Sequence, residues 1–388
     1  MIAIKNGEVF VPEGKLVKST VLITGGVISA VGERVEVPPE AKVINASGKT
    51  VFPGLIDLHT HLTIYEDPWL LSAGAEGKAV LRGASLARQA LRAGITTMRD
   101  MGGYRYVDID LRNAINAKLI SGPRLLCAGK VVATTGGHIY YVAREADGPD
   151  EVRKAAREQL KAGADFIKVM CSGGVERVNE SINAVQLTSD EIRAAVEMAA
   201  NHGTVVAAHA HPTRAIKEAV KAGVASIEHG SLLDEETAEI MAEKKAFLVP
   251  TFSVYAAIAK LGLGEISERS RAVFEAKKKT FELALKKGVP WGIGTDSGAF
   301  SPISSIIDEM VLTHEIGISV AEVLQRATAI NAELLGLKDT GRIEAGKRAD
   351  VIIMQGNPLQ NLEALKNVEI TICNGMLYDW QADPFAAR

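Results

Sequence analysis

Cysteine is scarce in this chain and long apolar runs are missing altogether, and each absence narrows what the protein can be. Three cysteines, Cys127, Cys171 and Cys373, are spread over 388 residues. They are too few and too scattered for a disulfide framework or a thiolate zinc site. No uncharged stretch approaches the roughly 20 apolar residues that a membrane-spanning helix needs. The opening MIAIKNGEVFVPEGK has no apolar segment behind a basic start, so it does not read as a signal peptide. A strong charge of either sign is also missing: the formal net charge of −3 gives no case for nucleic acid or an anionic membrane as partner. These absences leave a reduced, soluble, cytoplasmic enzyme acting on a small molecule as the expectation.

What is present is a chain that is 47% hydrophobic and 23% charged, long enough for one large barrel and a smaller accessory domain. Residues 1–53 read as short strands with turns, Lys5-Asn6-Gly7 and Asn45-Ala46-Ser47-Gly48 supplying the turn chemistry. The tail resumes that style with RADVIIMQG and VEITICNGMLYD, where Asn374-Gly375 marks a hairpin. The two ends, 1–53 and 339–388, are expected to pair into one small β-sandwich.

Residues 54–338 alternate between strand-like runs and helical patterns. The runs are LIDLHTHL, ITTMRD, RLLCAGKVV, DFIKVMCSG, VVAAHAH, SIEHG, FLVPTFSV and WGIGTDSG. Helical periodicity covers 76–93, 107–120, 150–162, 189–202, 212–222, 234–245, 267–287 and 304–316. Gly94, Gly163, Gly203, Gly223 and Gly288 follow helices, where a left-handed cap favours glycine. Ser189 before Asp190-Glu191 reads as a helix N-cap. The alternation predicts an α/β fold, a (β/α)₈ barrel. The rival, a doubly wound sheet, lacks a glycine-rich phosphate loop after the first strand.

The chemistry-bearing residues fall where such a barrel places active groups, at the C-terminal ends of its strands. The first strand ends His59-Thr60-His61, and alternation puts both imidazoles on one side. Lys168 stands inside Phe166-Ile167-Lys168-Val169-Met170. The fifth strand ends His209-Ala210-His211, the sixth carries Glu228-His229, and the eighth Thr295-Asp296. A lone strand histidine is commonly a hydrogen-bonded core residue, and a lone lysine can snorkel to water. Five of eight histidines on strand ends, beside a lysine and an aspartate that are costly to bury unpaired, point instead to a metal site.

The motif Pro53-Gly54-Leu55-Ile56-Asp57-Leu58-His59-Thr60-His61, with the strand-four lysine, the later histidines and the last aspartate, resembles the amidohydrolase superfamily. Phe166–Met170 followed by Ser172-Gly173-Gly174, and Gly136-Gly137-His138, are similar to its Xaa-Pro dipeptidase, arginine carboxypeptidase and imidazolonepropionase-related branch. The resemblance implies two divalent metal ions. His59, His61 and Asp296 would hold the first, His209 and His229 the second, and Lys168, as N6-carboxylysine, would bridge both. Histidine and oxygen ligands without thiolate favour zinc, though cobalt or manganese fit the same set. It further implies amide hydrolysis by a metal-bridging hydroxide, with Asp296 shuttling the proton and His138 contacting the scissile carbonyl.

His211, Tyr140 and Arg144 are candidates to hold a substrate carboxylate; His211 shares a strand face with His209, so its strand position suits a metal contact as well. Tyr65, Tyr104, Tyr141, Val175, Glu176, Tyr255 and Phe300 are candidates for side-chain specificity. His202, before Gly203, reads as a helix-end dipole partner, and His314 as structural. The expected substrate is a dipeptide or N-acyl amino acid cut next to its C-terminal residue. The alternative is another amide, lactam or ester, including xenobiotic amides of the ochratoxin kind. A deaminase fits less well, because Ala208-His209-Ala210-His211-Pro212 lacks the glutamate such enzymes place there and Lys168 is present. The branch also implies a homo-oligomer.

Overall fold

A computed structural model of the chain describes residues 1–64 and 75–382; Tyr65 lies outside them. The first five strands are β1 (Ile2–Val11), β2 (Lys15–Thr24), β3 (Val27–Gly32), β4 (Lys42–Asn45) and β5 (Lys49–Pro53). A strand–helix region follows: β6 (Leu55–Thr60), α1 (Glu76–Arg92), β7 (Ile95–Asp100), α2 (Val107–Asn116), β8 (Arg124–Cys127), β9 (Val132–Ala133), β10 (Arg144–Glu145), α3 (Pro149–Ala162) and β11 (Ile167–Met170). It continues with α4 (Ser189–Asn201), β12 (Val206–Pro212), α5 (Thr213–Ala222), β13 (Ser226–Leu232), α6 (Glu235–Lys244), β14 (Phe247–Val249), α7 (Phe252–Lys260), α8 (Glu265–Lys286) and α9 (Ile306–Glu315). The chain closes with α10 (Val320–Gln325), α11 (Asn331–Leu334), β15 (Val351–Gln355), β16 (Val368–Cys373) and β17 (Met376–Asp379).

The two chain ends do pair. β15 runs antiparallel to β5, Ile352 opposite Phe52, and the terminal strands form one eight-stranded sheet. Its own core gathers Ile4, Val9, Val21, Ile28, Val351 and Ile372. β16 and β17 turn through Asn374 and Gly375, both at positive φ, as an Asn-Gly hairpin requires.

In the middle, β6–β7–β8 and β9–β11–β12–β13–β14 are parallel ladders. Hydrogen bonds continue between them, from Asp165 N to Cys127 O at 2.8 Å. The eighth run, 291–298, is bonded on both sides. Gly292 N donates to Leu248 O at 3.0 Å, and His61 N to Ser297 O at 2.8 Å. It makes only isolated bridges, Trp291 to Leu248 and Thr60 to Ser297. It also lies close against its neighbours: a Cβ on Gly294 would stand 3.0 Å from His59 N.

Three local expectations shift. The third strand-like run breaks into β8 and β9, with Gly129 at φ 70° between them, its N–H held by Asp108 at 2.8 Å. The N-cap of α4 is Thr188, one residue before Ser189, in a reciprocal capping box with Glu191. The seventh run is strand only over Phe247–Val249 and then turns into α7. Pro250 has no N–H to continue a ladder, Thr251 is left-handed at φ 51°, and the Glu309 carboxylate accepts the N–H groups of Phe252 and Ser253 at 2.9 and 2.6 Å. No helix among the described residues is long and apolar enough to cross a membrane.

Candidate metal centre and its pocket

Strand alternation delivers His59 from β6, Lys168 from β11, His209 from β12 and His229 from β13 to one cleft, with His61 and Asp296 on the segments just beyond β6 and in the eighth run. His138, Ile64, Ile139, Tyr141, Met170, Glu176, Ala299 and Phe300 complete its wall. Three residues of this cleft leave ordinary backbone conformation: Ile139 at φ 45°, His229 at φ 72° and Asp296 at φ 58°. Left-handed backbone at non-glycine residues is costly and collects at functional sites.

A neutral imidazole binds an ion through one ring nitrogen while the other is anchored, so the anchors decide which histidines can serve. His59 Nδ1 lies 2.9 Å from Glu228 Oε2, and its Nε2 faces Asp296 Oδ1 at 3.4 Å. His61 Nδ1 lies 3.1 Å from Gly102 O, and its Nε2 is also 3.4 Å from Asp296 Oδ1. His229 Nδ1 sits 2.8 Å from Thr251 Oγ1, which leaves Nε2 for the cleft. His209 Nε2 lies 3.3 Å from Gly173 O, which leaves Nδ1. His211 has neither nitrogen to spare: Nδ1 meets Ser231 Oγ at 2.8 Å and Nε2 meets the Tyr255 hydroxyl at 3.2 Å. Of the two histidines on β12, His209 is therefore the one with a ring nitrogen left without a hydrogen-bond partner.

The ligand atoms of His59, His61 and Asp296 lie within 4.8 Å of one another, and so do those of His138, Glu176 and Glu180. The rings of His209 and His229 are 4.7 Å apart, and His229 is 5.1 Å from His59. Burial pushes the Asp296 carboxyl up to about 7, with Glu176 adding to it and Lys168 opposing it. Burial likewise draws the Lys168 ammonium down to about 8, against the pull of Glu228 and Asp296. His59, His209 and His229 are all held well below the usual imidazole range by burial first and by neighbouring cationic groups second. Deprotonated imidazoles, a buried amine and a carboxylate are the donors a divalent ion takes.

Sequence reasoning passed over the groups that hold these ligands. Glu228, buried, bonds His59 and is gripped by Arg99 at 2.8 Å and Ser226 at 2.6 Å. Burial alone would raise its carboxyl, yet Arg99 and His59 outweigh that and keep it at about 2. Asp57 accepts from Thr295 Oγ1 at 2.7 Å and from His59 N at 3.1 Å, tying the first run to the eighth. Both carboxylates stood in the strand-end motifs as Asp57 two residues before His59 and Glu228 before His229. That adjacency was the available signal.

His138 lies in the cleft, stacked on His209 at 4.3 Å, with Nδ1 3.1 Å from Glu180 and Nε2 3.7 Å from Glu176. Burial disfavours its charge, but the two glutamates prevail and raise its pKa. The other expected carboxylate contacts are placed elsewhere. Arg144 Nε is bound to Glu158 at 2.8 Å. Tyr140 lies under the Arg177 guanidinium at 4.7 Å, and His211 is enclosed by its two partners. None of the three joins the cleft wall. Phe300, Tyr141 and Glu176 do; Tyr104, Val175 and Tyr255 are buried in satellite clusters of the core. His202 caps α4 and reaches Met198 O at 3.2 Å, while His314 bonds Ile318 O at 2.8 Å and is not part of the cleft wall.

Comparison with known proteins agrees with this geometry. The chain is 32% identical to ochratoxinase of Aspergillus niger, over 90% of this chain and 79% of that protein. It is 27% identical to imidazolonepropionase of Mesorhizobium japonicum, over 88% of this chain and 87% of that protein. It superposes on a crystal structure of a Xaa-Pro dipeptidase with methionine bound in the active site, at a TM-score of 0.90 and 32% identity, covering 97% of this chain and 99% of that one. The family model described as Amidohydrolase family matches residues 50–377. With that match across the whole strand–helix region and a cleft of candidate metal ligands at its strand ends, the chain belongs to the amidohydrolase family, a family typically dependent on metal, and is a hydrolase.

Proposed function

We propose that this hydrolase cleaves an amide bond in a dipeptide, next to its C-terminal residue, from a two-metal centre in the cleft. The observation that carries the reading is the orientation of four imidazoles: each has one nitrogen anchored, which leaves the other for a cleft that Asp296 and Lys168 also line. In this reading residues 54–338 are a (β/α)₈ barrel, closed through the eighth run, and 1–53 with 339–388 are a β-sandwich. His59, His61 and Asp296 would hold one ion and His209 and His229 the other, and Lys168, as N6-carboxylysine, would serve both. Zinc suits these donors. Two such ions, when bound, polarise a carbonyl and make water acidic enough to attack it near neutral pH.

The chain's own residues supply the rest. His138, held by Glu180, presents Nε2 to the scissile carbonyl. Asp296 accepts a proton on the attacking side and returns it to the leaving nitrogen. Glu176 faces the same cleft with a buried carboxylate oxygen that no hydrogen bond satisfies. Its distance of 3.7 Å from His138 Nε2 puts it within reach of an α-ammonium group next to the carbonyl.

The ligand assignment predicts that His209→Ala loses about one metal ion per chain and most activity, whereas His211→Asn keeps both ions. Metal analysis of the two variants checks it, and equal metal loss in both would reverse the choice between these histidines.

The substrate class is tested with matched pairs of peptides, such as leucyl-proline against N-acetyl-leucyl-proline. A charge-assisted hydrogen bond from the free ammonium to Glu176 is worth about 1.5–3 kcal/mol. That corresponds to kcat/KM higher by roughly 10- to 100-fold for the free dipeptide. Equal or faster cleavage of the acylated member would favour a second reading, an N-acyl amide with an aromatic or apolar acyl group. Ile64, Ile139, Met170 and Phe300 in the wall, and the likeness to a protein named ochratoxinase, support that second reading.

A further inference from the structure

Among the fully buried side chains is a lysine that the reaction above does not use. Lys277 lies on α8, 1% exposed, behind the end of β14. Its ammonium donates to Thr251 Oγ1 at 3.2 Å and to Thr251 O at 3.3 Å, and sits 4.0 Å from the centre of the Tyr255 ring. An apolar side chain in that place would spare the fold the cost of taking a charge out of water. What the charge touches gives the reason for keeping it.

Thr251 is the link. Its hydroxyl is the anchor of His229 Nδ1, at 2.8 Å. Its backbone is left-handed at φ 51° and ψ 58°, which is costly for a β-branched residue. Two buried groups hold it there from opposite ends. Glu309 takes the next two N–H groups, of Phe252 and Ser253, and Lys277 takes the carbonyl and hydroxyl of Thr251 itself. Tyr255, whose face covers the ammonium, bonds His211 Nε2 at 3.2 Å, and the His211 ring stacks on His229 at 5.1 Å. Both faces of support for His229 therefore lead back to one residue on α8.

We propose that Lys277 is a positioning residue for the second metal position: through Thr251 it holds the His229 ring with Nε2 toward the ion, without touching ion or substrate itself. The inference rests on His229 being a ligand. Groups that hold a ligand in this way commonly change metal affinity by about 10- to 100-fold when removed.

The test is metal binding by equilibrium dialysis against zinc, read by elemental analysis, with activity measured across the same zinc range. Lys277→Met is expected to keep the first ion and bind the second roughly 10- to 100-fold more weakly. Its activity, low at limiting zinc, should recover toward the wild-type rate as zinc is raised. A role in stability alone would lower the melting temperature and leave the second zinc affinity where it was, and that result overturns the proposal. So does lost activity that added zinc does not restore. Should Lys277→Met fail to fold, Thr251→Val against Thr251→Ser reads the same connection from the other end. Loss of second-site affinity in the valine variant alone supports the proposal, and unchanged affinity in both refutes it. A wild-type enzyme that binds one ion would remove the two-metal reading and this inference together, whereas two ions held equally well by wild type and Lys277→Met removes only the latter.

Discussion

Replacing Lys168 with alanine is expected to strip most of the bound metal and leave turnover close to zero, with partial recovery when acetate or propionate is added. The reason lies in the surroundings of the side chain. β11 is buried at all four of its positions, and Lys168 is 1% exposed between Ile167 and Val169. A protonated ammonium there pays a desolvation cost, which is why burial lowers its pKa to about 8. The neutral amine thus becomes accessible near physiological pH, and it can add carbon dioxide, forming an N–C bond and releasing one proton to give an anionic carbamate. Two dications would repel an ammonium at this place, whereas an anionic carbamate would offer both of them an oxygen ligand. Alanine removes the bridge and leaves a space that a small carboxylate can enter. Metal content and rate, each measured with and without acetate, check the claim. An alanine variant that keeps two ions and a near-normal rate would show that Lys168 bridges nothing.

The parts of this site that were legible in the sequence share one property: they combine an unusual residue type with a strand-end position. His59, His61, Lys168, His209, His229 and Asp296 all do, and the structure gathers them in one cleft. The paired chain ends were legible too, because alternating β patterns bounded by Asn-Gly turns read the same at 2–53 and 351–379. What escaped was of two kinds. Glu180, Glu309 and Lys277 are residue types that mostly sit solvated on helix faces and loops, so nothing local marks them as turned inward. Lys277 even stands in a run of three lysines, and only the packing of α8 against α7 and β13 separates it from Lys278. The second kind is conformational. Pro250 signalled a break, yet that Thr251 would turn left-handed and start α7 depends on Glu309, 58 positions later in the chain. For the same reason Arg144 looked available for a substrate carboxylate, while Glu158, one helix further on, already occupies it.

The last expectation concerns Asp296→Asn, for which kcat should fall by at least about 10²-fold, the lower bound for removing general acid–base help. Asparagine is a fair probe here for three reasons. It matches aspartate in size, so the cleft is not reshaped. It tolerates left-handed backbone as well as any residue but glycine, so the φ of 58° at this position adds little strain. It also keeps a carbonyl oxygen in the place that now lies 3.4 Å from both His59 Nε2 and His61 Nε2, so a ligand of reduced charge remains. What it cannot do is take up a proton. Burial and Glu176 lift the carboxyl of Asp296 to about 7, close to the working pH at which a group both accepts and releases protons efficiently. Bound dications would pull that value down, so at neutral pH the wild-type group starts as the carboxylate and gains its proton during turnover. The rate of the wild type should accordingly fall as pH drops through the carboxyl pKa, and the asparagine variant should lose that acid limb along with its rate. Circular dichroism and metal analysis establish that the variant is folded and loaded before kcat is compared. A folded, metal-loaded Asp296→Asn with an intact kcat, or one that keeps the wild-type acid limb, would assign the proton transfer to another group, and His138, raised in pKa by Glu176 and Glu180, would be the next to replace.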